Sequence, residues 1–152
     1  MPKTIISDTS CFIILKNINE LDLLCNVYGK IVTTIEIAQE YGEILPDWVV
    51  IESVKDKHYQ QILETQIDRG ESSALALALE ISDCIVILDD YKARKIALEL
   101  GILYTGTIGV IIKAKLTGII PSIKPILEKL NQTNFRLTEE IKMQALKQAK
   151  ED

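Results

Sequence analysis

Short apolar runs alternate along this chain with longer stretches in which apolar residues recur at helical spacing. Thr4-Ile5-Ile6-Ser7 and Cys84-Ile85-Val86-Ile87-Leu88 are compact, rich in β-branched residues and bounded by polar ones, the pattern of strands buried in a parallel sheet. Lys30-Ile31-Val32-Thr33 and Ile102-Leu103-Tyr104 predict two further short strands, and Trp48-Val49-Val50-Ile51 after Pro46 predicts a brief extra or edge strand. Between them the pattern turns helical. Ser10 is placed to cap a helix through Lys16, Asn19 a second over Glu20 to Cys25 that stops near Gly29, and Thr34 a third that ends at Gly42. A polar helix is predicted from about Lys55 to Ile67.

The segment from Glu71 to Glu80 alternates Ala and Leu, which imitates a strand, but both residue types favour helix and Ala is a poor strand former. It predicts a buried helix opened by Gly70-Glu71-Ser72. A helix over 90–100 stopped by Gly101, one from Gly106-Thr107 to Gly118, one from Ile123 to Leu130 and an amphipathic C-terminal helix over about 138–150 complete the series. Strands alternating with helices predict an α/β fold, a mostly parallel sheet covered on both faces in a three-layer α/β/α sandwich. The 152 residues read as one domain, with no linker, internal repeat or low-complexity segment.

No stretch approaches the roughly 20 apolar residues that a membrane helix needs. The N-terminus, Met1-Pro2-Lys3-Thr4-Ile5, enters a strand at once without the features of a signal peptide, so a cytoplasmic protein away from membranes is expected. Cys11, Cys25 and Cys84 lack metal-ligand spacing and read as small apolar fillers. His58 stands alone in a polar segment and reads as a surface residue. The net charge of -5 speaks against a broad basic face, although acids gathered at a metal site are neutralised by the cations they bind.

Acidic residues stand where apolar runs end or helices begin, and these positions converge in a parallel sheet. Ligands bind beyond the carboxyl ends of the strands, so Asp8 after the first strand and Asp89 after the strand 84–88 are expected at one edge. Asp8 is itself a competent cap, but Ser10 is better placed, which would leave Asp8 free to bind metal. Glu36 and Glu40 are four residues apart on one helix face, with Ile35 and Ala38 able to pack inward. Glu71 opens a nearly all-apolar helix, where the helix dipole alone would favour an acid. Adjacent carboxylates repel, so Asp89-Asp90 suggests a cation, with turn chemistry as the plain alternative. Thr107 can donate its hydroxyl to a carboxylate or serve as an N-cap. Lys92, Arg94 and Lys95 follow on the next helix and can meet phosphates, or simply solubilise the surface.

Oxygen ligands without His or Cys select Mg2+ or Mn2+. Such ions activate water and neutralise charge on a phosphodiester under in-line attack, in two-metal sites roughly 3.5 to 4 Å apart. Phosphodiester hydrolysis is the chemistry this pattern points to.

Ile6-Ser7-Asp8-Thr9-Ser10, Glu36-Ile37-Ala38-Gln39-Glu40, Gly70-Glu71-Ser72-Ser73-Ala74-Leu75-Ala76-Leu77-Ala78 and Leu88-Asp89-Asp90 with Lys92-Ala93-Arg94 together resemble the PIN-domain family of metal-dependent nucleases. The likeness runs over almost the whole chain. Thr105-Gly106-Thr107-Ile108-Gly109-Val110 and Gly118-Ile119-Ile120-Pro121 look like an uncharacterised prokaryotic subgroup.

The resemblance implies a sheet of about five strands, a homodimer, and a metal site made of Asp8, Glu40, Glu71 and Asp89, with Asp90 kept beside Asp89. Relatives include VapC-like toxin ribonucleases, which cut RNA and are silenced by a small antitoxin protein. Many relatives have Pro after Asp-Thr-Ser where this chain has Cys11, outside the implied ligand set. The expectation is therefore a Mg2+- or Mn2+-dependent endoribonuclease, the toxin of a toxin-antitoxin pair. The alternative is a catalytically weak or inactive module of the same fold that binds nucleic acid or protein. A phosphoacceptor signalling domain fits poorly, because its acidic pair would follow the first strand and no lysine ends the last one.

Overall fold

A computed structural model describes residues 4–152. Met1, Pro2 and Lys3, the expected approach to the first strand, lie outside the described residues. The sheet comprises β1 (Thr4–Ser7), β2 (Ile31–Thr34), β3 (Val49–Glu52), β4 (Cys84–Ile87) and β5 (Tyr104–Thr105), all parallel, in the order β3-β2-β1-β4-β5. Each connection is helical, as parallel neighbours require. Helices α1 (Thr9–Asn17) and α2 (Asp22–Tyr28) join β1 to β2, α3 (Ile35–Tyr41) joins β2 to β3, and α4 (Lys57–Leu63) and α5 (Arg69–Glu80) lead to β4. Then α6 (Tyr91–Glu99) leads to β5, and α7 (Thr107–Leu116), α8 (Lys124–Asn131) and α9 (Glu139–Gln148) close the chain. The result is the expected α/β/α sandwich around a five-stranded sheet.

The strand order sets the site. From β1 the chain winds outward through β2 to β3, then returns to place β4 on the other side of β1. The boundary between β1 and β4 is thus where the winding direction reverses, the position at which a doubly wound sheet opens a crevice. The register pairs Thr4 with Cys84 and Ser7 with Ile87, so the residues following both strands emerge side by side.

The core forms because β1 and β4 are apolar on both faces and the helices meet them with apolar stripes. Phe12, Leu15, Leu24, Leu75, Ile111 and Leu127 are fully buried, and truncating one such side chain to Ala costs about 2–5 kcal/mol. Helix α5 is buried from Ser72 to Ala78. Its small residues let it approach β2 closely, and the hydroxyls of Ser73 and Thr34 share a hydrogen bond of 2.6 Å. The same Thr34 oxygen accepts from Ile37 N at 3.1 Å, the cap expected for α3, and Gly42 ends that helix at φ 75°.

Several boundaries differ from expectation for local reasons. Asp8, not Ser10, caps α1, because it takes the extended conformation at ψ 174° and its side chain accepts from Cys11 N. Asn19 does not cap α2. It takes φ 58°, donates its N–H to Lys16 O and lets Glu20 N reach Leu15 O, which closes α1 in a left-handed turn that Asn tolerates. Strand β5 begins at Tyr104 because Ile102 N donates to Ala97 O at 2.8 Å to finish α6. On α3 the buried side chains are Glu36, Ile37 and Tyr41, while Ile35 is 40 % exposed, so the inward face is rotated from the one expected. His58 is exposed as expected, and the three cysteines are free, with only Cys11 fully buried.

Candidate metal centre

Asp8 and Asp89 meet at the switch point. Asp8 is 3 % exposed; its Oδ1 accepts from Cys11 N at 2.9 Å, and its Oδ2 accepts from Asp89 N at 3.1 Å. The cap therefore holds the carboxylate at the sheet edge, correcting the expectation that Asp8 would be free of capping. Burial, then the charge of Asp89, raises its pKa from 3.8 to about 7, against the pull of those two N–H groups and of Arg94. Cys11 lies beneath it, and burial followed by the charges of Asp8 and Asp89 pushes the thiol up. The N–H that Cys11 supplies to Asp8 is one that a proline at this position would lack.

Asp89 is locked by the start of α7. Its Oδ1 accepts from Thr107 N at 2.9 Å and its Oδ2 from the Thr107 hydroxyl at 2.6 Å. Thr107 is the first residue of α7 and Gly106 is the N-cap without a side chain, so Asp89 caps this helix from a distant part of the chain. Gly106 is required by close approach: a Cβ there would collide with Arg94 Nη2 and stand 2.8 Å from Asp89 Oδ1. Arg94 turns inward, with its Nη2 3.8 Å from Asp89 Oδ1, its Nε donating to Leu88 O at 2.5 Å and its guanidinium 5.2 Å from the Tyr104 ring centroid. Its guanidinium thus braces the Asp89 end of β4. Lys92 and Lys95 remain exposed on α6.

Asp90 is exposed and caps α6 by accepting from Ala93 N at 2.9 Å. The Asp-Asp pair is thus relieved by two helix N-termini, the turn-chemistry alternative, and the side chain that faces the switch point is that of Asp89. Glu71 sits in the first turn of α5 as expected, behind the Asp68 cap. Burial, then Asp68, Asp90 and Asp8, raises its pKa from 4.5 to about 7. The charges of Asp68, Asp90 and Asp8 all reach Glu71, so the start of α5 lies on the acidic side of the sheet edge.

Glu40 is exposed at the rim, where Thr9 donates its hydroxyl to Oε1. Gly70 leaves room for that carboxylate, since a Cβ there would stand 2.8 Å from Glu40 Oε1. Glu36 goes elsewhere. It is 4 % exposed, takes Gln60 Nε2 at 2.6 Å and Lys57 Nζ at 3.2 Å, and leaves its Oε1 without a partner among the described residues. Burial alone would raise its pKa, but those donors outweigh burial and lower it.

The structure thus brings Asp8 and Asp89 into hydrogen-bond contact, with Glu71 within reach of the charges of Asp68, Asp90 and Asp8, and Glu40 exposed at the rim. As the side chains lie, no three Asp, Glu, His or Cys residues among the described residues stand together closely enough to hold a metal ion. Thr9, Asp68 and Gly106 belong to the site and were not singled out from the sequence. Thr9 and Gly106 stood within the motifs that carry the family resemblance, Thr9 between Asp8 and Ser10 and Gly106 at the opening of the helix with Thr107.

A PIN-domain family model matches residues 4–151. The chain belongs to the PIN-domain family. PIN domains are generally nucleases and generally use divalent metals. No curated protein and no solved structure matches this PIN domain. Its donor set suits that chemistry: every candidate ligand is a carboxylate oxygen, the hard donor that Mg2+ and Mn2+ prefer. Burial and neighbouring carboxylates raise both Asp8 and Glu71 to about 7, an environment that a bound cation would relieve.

Proposed function

We propose that this PIN domain is a Mg2+- or Mn2+-dependent endoribonuclease of toxin type, acting as a homodimer in the cytoplasm and restrained by a small antitoxin protein. The observation that carries this reading is the meeting of Asp8 and Asp89 at the β1–β4 switch point, with Glu71 opening α5 nearby; burial first, and neighbouring carboxylates second, raise Asp8 and Glu71 to about 7. Among the described residues no helix is long and apolar enough to cross a membrane.

Asp8, Glu40, Glu71 and Asp89 would hold the metal, which when bound supplies charge neutralisation on the phosphate and activation of water. The chain does the positioning. Thr107 fixes both Asp89 oxygens, and Cys11 N and Asp89 N fix both oxygens of Asp8, so neither carboxylate reorganises as charge develops. Asp8 and Glu71 must lose their protons to act as ligands, so metal affinity rises with pH through about 7. Arg94 offsets part of the negative charge at Asp89 without occupying the pocket.

The test is cleavage of short single-stranded RNA with Mg2+, Mn2+ or EDTA. Asp8→Asn and Asp89→Asn variants that fold should lose cleavage; full activity in both overturns the reading. A second reading, an inactive module that binds nucleic acid or protein, is favoured by the engagement of Asp8, Asp89 and Asp90 in helix caps and by the lack of a ready three-ligand cluster among the described residues. Calorimetric titration with Mn2+ separates them, because such a module need take up no metal.

A further inference from the structure

Beside the carboxylates lies a cleft of about 610 Å3, walled at one side by Asp89, Arg94, Tyr104 and the start of α7 and at the other by Phe135, Arg136 and α9. Its size is that of a small-molecule or nucleotide site. It is not legible from residue order, because its two walls are joined only when α9 folds back beside α7.

Its lining is unlike the rest of the acidic surface. The charged residues in the wall are Asp89, Arg94 and Arg136, so the cleft is locally basic in a chain of net charge -5. Gln144 and Gln148 both line it, four residues apart on α9, and neither amide has a hydrogen-bond partner among the described residues. Each amide offers both a donor and an acceptor, the pairing needed to read the edge of an unpaired base. Phe135 supplies an aromatic surface, half-buried and anchored where its N–H meets the Thr133 hydroxyl at 3.1 Å. Tyr104 already carries the Arg94 guanidinium over its ring, which leaves Phe135 as the stacking face.

We propose that this cleft seats one unpaired nucleobase of the RNA next to the scissile phosphate. Phe135 stacks on the base, Gln144 and Gln148 read its edge, and Arg136 contacts the backbone. Asp89 is part of the same wall, so a nucleotide held there brings its own phosphate to the carboxylate pocket. The proposal deepens the ribonuclease reading and rests on it for the identity of the polymer.

Binding of fluorescent single-stranded RNA homopolymers, followed by anisotropy in EDTA, tests the cleft without metal or turnover. Phe135→Ala should weaken binding by about 5- to 150-fold, the effect of losing one base–aromatic stack. Because Phe135 is half-buried and its loss can disturb folding, the exposed pair Gln144→Ala/Gln148→Ala provides the second arm. It should flatten the differences in affinity between homopolymers, and the wild-type chain should bind a duplex more weakly than a single strand. Wild-type affinity and preference in both variants, or equal binding of duplex and single strand, overturns the proposal. A chain that binds RNA through the cleft but never cleaves it with Mn2+ defeats the nuclease reading alone. One that cleaves with unaltered KM and base preference in the cleft variants defeats the cleft alone.

Discussion

Asp8→Asn removes the charge from the most buried carboxylate of the site and should flatten the dependence of stability on pH in metal-free buffer. The folded chain holds the Asp8 proton up to a pKa of about 7, against an ordinary value of 3.8. Below the lower value both folded and unfolded chains carry the proton, and the site imposes no penalty. Between the two values the unfolded chain has released it and the folded chain has not, so stability falls as pH rises. Above about 7 the penalty is complete. A shift of that size corresponds to at most about 4 kcal/mol, and relaxation of the pocket reduces it to about 2–3 kcal/mol. About two-thirds of that penalty builds up between pH 5 and pH 8, which for a chain of this length is a drop in Tm of about 3–8 °C. Differential scanning calorimetry in EDTA measures it.

The asparagine keeps an acceptor for Cys11 N but turns an NH2 toward Asp89 N, costing about 1 kcal/mol at every pH. The diagnostic quantity is therefore the slope, not the level. Glu71 should contribute in the same direction, because Asp8 is among the charges that raise it. Adding Mn2+ at pH 8 should raise the wild-type Tm more than that of Asp8→Asn. Parallel wild-type and variant profiles from pH 5 to pH 8 would refute the account of why the pocket is strained.

Two glycines separate close approach from backbone strain. Gly106→Ala drives a methyl group into Arg94 and Asp89 and should cost about 1–2 kcal/mol while reducing RNA cleavage more than 10-fold. Gly118→Ala, at φ 80° with nothing nearby, should cost about 1 kcal/mol and leave cleavage unchanged; equal activities would remove Gly106 from the site. In the buried pair away from the site, Gln60→Leu deprives Glu36 of its 2.6 Å donor and should lower stability by about 1–3 kcal/mol. Adding Glu36→Leu should recover most of that loss, and denaturant titrations showing simple additivity would contradict the pairing.

Much of the architecture is legible one residue at a time. The β-branched runs place β1 and β4, Thr34 and Gly42 bound α3, and Ala-Leu composition identifies α5 with Glu71 in its first turn. These signals are local, because a strand or a cap is decided by side chains within a few residues. The site is less legible. Asp8 and Ser10 are both able to cap, and the choice falls to the residue that leaves β1 with extended backbone. Asp89 and Asp90 look equivalent in sequence, yet one accepts from Thr107 and the other from Ala93.

Glu36 and Glu40 diverge for a tertiary reason. Helix α4 brings Gln60 and Lys57 onto Glu36, while α1 and α5 bring Thr9 and Gly70 to Glu40. The inward turn of Arg94 and the cleft under α9 likewise come from elements remote in sequence.

By itself, then, the order of residues determined which segments become strands and helices, which carboxylates stand at their ends, and that the donors are all oxygen. Only the folded sheet decided which of those acids face one another, because strand order and register are settled by burial across the whole core. A carboxylate becomes part of a site through the charges and donors that surround it, and those neighbours are assembled only when β4 pairs with β1.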